Sequence, residues 1–305
     1  MMSSLGSARA RARAGEGDST VERTAIVTDT NSGILPAEAK ELGIHVICMP
    51  FFVDGATYHE GQDLTEAEFF RKLAAGATVS TSQPPPEEVT ALWDRLLETH
   101  DAVLYFPMSS GLSGACQTGK ALARDYGGRV VVVDDRRISV TLRQSILNAR
   151  VLLAQGKTAR EVRDILEAEW NASSIYIAVN TLEYLRRSGR ITAAGLAMAT
   201  ILHLKPVLQI QGGKLDAYKK VRGMKHARDV LIEALRHDLA ERFAGMKMAL
   251  FSGTSGGDPA LGEAWHQMVQ AAFPGRTVGR ISLPLSICCH VGEGALGVAC
   301  AKTWE

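Results

Sequence analysis

Nowhere in the 305 residues does an apolar run reach the ~18 positions that a membrane-spanning helix needs, so no spanning helix is expected. No C-x-x-C pair occurs either. The five cysteines (Cys48, Cys116, Cys288, Cys289, Cys300) are odd in number and only one pair is adjacent. That pattern predicts buried, reduced thiols and a cytoplasmic location rather than a disulfide framework. A surplus of one charge sign is also missing. Lys and Arg total 34 against 33 Asp and Glu, which leaves no global field for a polyanion and argues against nucleic-acid binding. Membrane contact is expected to be peripheral at most. What is present is a globular composition, 46% hydrophobic and 22% charged, which excludes a wholly disordered or fibrous chain.

The chain start carries Arg9, Arg11 and Arg13 in alternation but no apolar stretch. It fails as a secretory signal and reads as a floppy basic tail to residue 22, while Glu16 and Asp18 count against an organellar transit peptide. Beyond it, apolar runs alternate with helical patterns. Thr24–Thr28, Ala102–Phe106 and Arg129–Val133 read as buried strands. Pro36–Leu42 reads as a short helix closed by Gly43, and Thr65/Glu68 and Thr158/Glu161 form capping boxes ahead of further helices. Ile44–Val53 is β-rich with a break at Pro50, and Pro86–His100 has apolar residues at helical spacing. This alternation implies βαβ units and a parallel sheet. The second half predicts a strand over Ser174–Val179, a helix over Thr192–His203 and a hairpin around Gly212-Gly213. Helices over Met224–Phe243 and Pro259–Ala272 flank a strand over Met246–Ser252, and a β-rich tail runs from Thr277 to Ala301. The expected fold is therefore α/β in two units, 23–173 with a mainly parallel sheet and 174–305 with a mixed sheet, and a ligand cleft between them.

The most informative stretch is Ser109-Ser110-Gly111-Leu112-Ser113-Gly114, after a predicted strand and before a predicted helix. Parallel sheets bind ligands beyond the carboxyl ends of their strands, and a helix start there suits an anion. Simple capping by Ser109 or Ser110 is the plainer reading, but one cap uses one hydroxyl and here there are three. The same run approaches a nucleophile elbow with Ser113 as nucleophile, and Asp134 and His290 follow in hydrolase order. Ala115 breaks that motif, so a serine hydrolase of acyl esters stands as the alternative. Thr81 and Ser82 sit in a second hydroxyl-rich loop stiffened by three prolines, Pro84 to Pro86. His290 shares a strand face with Cys288 if the tail is β, yet zinc would need two more ligands and no second cluster is spaced for it. Arg186, Arg187 and Arg190 surround Gly189, and Lys219, Lys220, Arg222 and Lys225 form another basic cluster. Each could grip an anionic partner or simply be a solvated element end. Asp29 reads as a turn-stabilising residue before Gly33 rather than a catalyst. The apolar segment Leu196–Leu208 reads as core or as the lining of a greasy tunnel.

Taken in order, these segments resemble the DegV family of bacterial fatty-acid-binding proteins from about Ala25 to Lys302. The motifs are AIVTDTNSGILP, STSQPPP, SSGLSGACQ, NTLEYLRRSGRI, LKPVLQIQGGKL and HVGEGALG. The resemblance implies two α/β domains with a long-chain fatty acid held between them as ligand, no other cofactor and no metal. It implies a carboxylate held by Thr81, Ser82, Ser109, Ser110, Ser113 and His290. It further implies that Arg190 and Arg222 help dock a separate fatty acid kinase catalytic protein, which phosphorylates the carboxylate to an acyl-phosphate. Glu293 stands where the family has Pro, and like-charge repulsion predicts that it faces away from the ligand.

Overall fold

The computed structural model describes residues 22–197, 204–256 and 258–305. The basic tail through residue 21 and residues 198–203 of the expected Thr192–His203 helix lie outside the described residues.

The chain enters through β1 (Thr24–Asp29). Next comes α1 (Pro36–Leu42), which begins on Pro36 and ends at Gly43 with φ 66, a left-handed conformation that glycine adopts without strain. Then come β2 (His45–Ile47), β3 (Pro50–Val53) and β4 (Ala56–His59). In α2 (Glu66–Ala74) the expected capping box is complete: the Thr65 hydroxyl accepts from the Glu68 amide and the Glu68 carboxylate accepts from the Thr65 amide. β5 (Val79–Thr81), α3 (Pro86–Leu97), β6 (Ala102–Phe106), α4 (Ala115–Leu122) and β7 (Val130–Val132) follow. The first half closes with α5 (Ser139–Ala154) and α6 (Ala159–Ala168). The order β2-β1-β6-β7 forms an all-parallel sheet, while β4-β3-β5 form a small antiparallel one. The β-rich run over Ile44–Val53 is thus divided between two sheets.

The second half begins with β8 (Ser173–Ala178), α7 (Glu183–Ser188) and α8 (Ala193–Leu196). The hairpin β9 (Leu204–Ile210) and β10 (Asp216–Arg222) leads into α9 (Gly223–Ala240). β11 (Met248–Thr254), α10 (Pro259–Ala272), β12 (Val278–Ser282), α11 (Leu285–Val291) and β13 (Leu296–Lys302) complete the chain. Six strands in the order β10-β9-β8-β13-β11-β12 make a mixed sheet in which only β11 and β12 run parallel. The protein is therefore α/β, with a parallel sheet first and a mixed sheet second.

One expectation is overturned here. The tail from Thr277 to Ala301 is not continuous β structure, because α11 interrupts it between Pro284 and Gly292. His290 is helical, and its pairing with Cys288 on one strand face does not exist.

Each face of the mixed sheet has its own partner. Tyr176, Val207, Val298 and Cys300 pack with Leu231 and Leu235 of α9 and Trp265 of α10. The opposite face turns Ile177 and Leu208 toward Leu112 and Ile138 from the loops above the parallel sheet. The small sheet meets α11 through Phe51, Phe69 and Phe70 against Leu285, Cys288 and Cys289. None of the described helices is long and apolar enough to cross a membrane. All five cysteines are free thiols, four of them buried and Cys48 half-buried.

Candidate functional site

A cavity of about 110 Å³ lies where these three packing zones meet. One water needs roughly 10–15 Å³, so the space suits a ligand of many atoms. Its floor is the inner face of the mixed sheet, and the strand register explains why room is left there. Ile177 of β8 and Gly253 of β11 both stand opposite Gly297 of β13, and Ile175 and Phe251 both stand opposite Ala299. Ile175 and Ile177 on β8 and Phe251 on β11 thus flank a central strand that presents only glycine and alanine on this face, which makes a trough. Ile210, Ile281 and Leu283 extend this apolar lining.

One end of the cavity is polar. Thr81, at the end of β5, brings Oγ1 to 2.9 Å from Nε2 of His290. Ser82 and Gln83 continue the same wall, and Ser82 is exposed, so this end reaches solvent. Gln83 is steered by Thr118, whose hydroxyl donates to its Oε1 at 3.1 Å. Ser113 lines the cavity just before α4, where its hydroxyl accepts from the Ala115 amide at 3.2 Å. Arg190 also lies on the wall. Burial, and then the Arg190 charge, push the His290 pKa down to about 4, so its ring is neutral at pH 7. Its Nδ1 is buried without a hydrogen-bond partner.

The position of His290 is set from a distance. The buried carboxylate of Glu60, just past β4, accepts from the Leu285 amide at 2.8 Å and from the Ser286 amide at 3.0 Å. It thereby satisfies two donors at the start of α11. The Ser286 hydroxyl donates to Asn31 Oδ1 at 2.9 Å. Asn31 is itself held by Asp29, whose carboxylate accepts from the amides of Asn31 (2.9 Å) and Met108 (3.1 Å). Burial drives the Asp29 pKa up to about 6 and raises that of Glu60. Asp29 acts as the turn residue expected, with Gly33 at φ 75 closing the turn.

The model of a protein family described as uncharacterised, the DegV family, matches residues 23–303. This chain belongs to the DegV family. A DegV domain-containing protein of Deinococcus radiodurans is 32% identical over 276 residues, covering 90% of this chain and 97% of its own length. Among solved structures, a fatty-acid-binding DegV family protein from Thermus thermophilus superposes with a TM-score of 0.83 at 33% identity, over 92% of this chain and 99% of the other. DegV of Bacillus subtilis, described as a fatty acid binding protein, gives 0.81 at 25% identity, over 92% of this chain and all of the other (100%).

Against the DegV motifs, the structure brings Thr81, Ser82, Ser113 and His290 to one cavity. Ser109 and Ser110 are placed elsewhere. The buried Ser109 hydroxyl accepts from the Gly111 amide at 3.2 Å and donates to the Gly213 carbonyl at 3.4 Å, tying the loop to the β9–β10 hairpin. Ser110 lies beside the Asp134 carboxylate, which pairs with Lys120 at 3.0 Å. Arg190 is on the cavity wall, whereas Arg222 is exposed at the end of β10. Arg186 and Arg187 both pair with Glu183. Glu293 is exposed. The hydrolase arrangement is not assembled: Asp134 is committed to Lys120, and His290 bonds Thr81 rather than Ser113. Among the described residues no group of three metal-binding side chains converges. Asn31, Gln83, Ser139 and Ser286 line the cavity without having been singled out in the sequence. For Gln83 the signal was its place in STSQPPP; Asn31 lies in a segment that read as a turn, Ser286 in one that read as β, and Ser139 in a stretch given no element.

His290 should leave a signature on stability. Its folded pKa of about 4 lies below the ordinary 6.5. The stability gained from keeping it neutral is full above pH 6.5 and is lost as pH falls toward 4. The wild-type advantage over His290→Asn in urea unfolding is expected to grow by up to about 3 kcal/mol between pH 4 and 6.5. A difference that stays constant across that range would contradict a buried neutral imidazole. Asp29, with its pKa raised to about 6, contributes in the opposite sense, its part being lost as pH rises from 3.8 to 6. It is present in both proteins and cancels from the comparison.

Proposed function

We propose that this chain holds a long-chain fatty acid such as palmitate in the cavity between units 23–173 and 174–305. It acts as a cytoplasmic, non-catalytic lipid carrier that presents the carboxylate to a fatty acid kinase catalytic protein. The acyl-phosphate formed would feed phospholipid synthesis. The observation that carries this reading is an apolar trough ending in the Thr81–His290 pair beside solvent-exposed Ser82. Burying methylenes gives ~0.8 kcal/mol each, so a 16-carbon tail contributes on the order of 10 kcal/mol before ordering costs. At the mouth, the hydroxyls of Thr81 and Ser113 and the amide of Gln83 offer neutral donors to a carboxylate, and Arg190 offers a charge. Such a grip leaves one carboxylate oxygen free to attack a phosphoryl group. The fatty acid binding described for the Thermus thermophilus and Bacillus subtilis proteins supports the same reading.

Delipidated protein titrated with palmitate tests the reading. Thr81→Val, which keeps shape and removes the hydroxyl, is expected to weaken binding by about 1–3 kcal/mol. Arg222→Ala should leave palmitate affinity intact and slow acyl-phosphate formation by the kinase. Absence of palmitate binding would end the carrier reading; loss of binding in Arg222→Ala would move Arg222 from docking to the pocket.

A further inference from the structure

Ser139 is an oddity on the cavity wall. It lines the cavity between Ile138 and Val140, is only 5% exposed, and its hydroxyl is buried with no hydrogen-bond partner. An unpaired hydroxyl in an apolar wall is destabilising. The backbone adds to this, because Ser139 sits at φ 54, in the left-handed region where glycine would be relaxed. A glycine here would remove both penalties, which makes the serine hydroxyl the feature that calls for a partner.

Ser139 is also the first residue of α5, a helix of 16 residues. The amides of Ser139, Val140 and Thr141 are out of reach of any intrahelical carbonyl, and none meets an acceptor elsewhere among the described residues. The Thr141 hydroxyl does not serve them: it donates to the Ile138 carbonyl at 2.8 Å and accepts from the Ile138 amide at 3.4 Å. A helix start with unused donors and an unpaired hydroxyl therefore stand together on a wall that is otherwise mostly apolar. A neutral oxygen suits this spot better than a second carboxylate, because it gains the same donors at far lower desolvation cost.

Resting on the fatty-acid reading above, we propose that the cavity selects an acyl chain bearing an oxygen along its length, a hydroxyl or keto group, and that Ser139 with the first turn of α5 is the specificity determinant that receives it. A chain hydroxyl would accept from a first-turn amide and donate to Ser139 Oγ; a keto oxygen would accept from both.

The test is titration of the delipidated full chain with palmitate and with a positional series of monohydroxy-palmitates. At least one member is expected to bind about tenfold or more tightly than palmitate. Ser139→Ala and Ser139→Gly should bring that ratio to about one while palmitate affinity holds or improves, and Ser139→Gly should raise the melting temperature of the lipid-free protein. Palmitate binding with no preferred member of the series, or a preference that survives both variants, overturns the proposal and leaves the carrier reading standing. Failure of every acid, palmitate included, overturns both.

Discussion

Ala299→Phe is expected to lower fatty-acid affinity on the order of 100-fold while leaving the fold about as stable as the parent. Ala299 is 3% exposed and stands on the trough floor between Ile175 and Phe251. A benzyl group there occupies space that a bound chain would fill with about three or four methylenes, and at ~0.8 kcal/mol each their displacement costs about 3 kcal/mol. The backbone is untouched, since alanine already has a Cβ, and the ring enters existing space rather than a packed core. Titration with palmitate and urea unfolding separate the two effects. Unchanged affinity would mean that the chain does not run along β13.

The second large effect falls on Glu60→Ala. Removing the carboxylate leaves the buried amides of Leu285 and Ser286 without an acceptor, a loss of about 3 kcal/mol, partly offset by no longer burying a charge. The start of α11 loosens, the Ser286–Asn31 contact with it, and His290 loses its fixed distance to Thr81. Stability and palmitate affinity should therefore fall together. Glu60→Gln keeps an oxygen for one amide and should lose only about 1 kcal/mol. If Glu60→Ala unfolds at the wild-type urea concentration, α11 is positioned by the Phe51–Phe69–Leu285 packing alone.

Much of the fold was legible because local chemistry and tertiary need agree. β6 over Ala102–Phe106 and α10 over Pro259–Ala272 match their apolar run and their Pro start residue for residue. The capping boxes at Thr65 and Thr158 mark α2 and α6 for the same reason. The misses have physical causes. α5 is buried on most sides, with Val140, Leu142, Gln144, Ser145, Ile146 and Asn148 all enclosed, so no polar stripe reveals its period. In α11 the sequence Leu-Ser-Ile-Cys-Cys-His-Val favours strand by composition, and only Pro284 before it and Gly292 after it signal a helix. β4 and β5 are short and partly exposed, and their apolar content is too small to stand out.

The site was legible to the extent that a motif is local. Thr81, Ser113 and His290 stood in recognisable segments, and the structure brings them to one cavity. Ser109 and Ser110 shared such a segment, yet the turn after β6 directs one hydroxyl to the hairpin and the other to Asp134. Hydroxyls in consecutive positions point in different directions, and sequence spacing does not say which faces the ligand. The trough was written in the alternation Leu296-Gly297-Val298-Ala299-Cys300, whose meaning depends on the neighbours that register supplies.

Native mass spectrometry of the protein purified without delipidation tests the central claim most directly. The account predicts one added mass per chain equal to a long-chain fatty acid, absent from Ala299→Phe. A wild-type spectrum at the bare polypeptide mass, unchanged after incubation with palmitate, would contradict it.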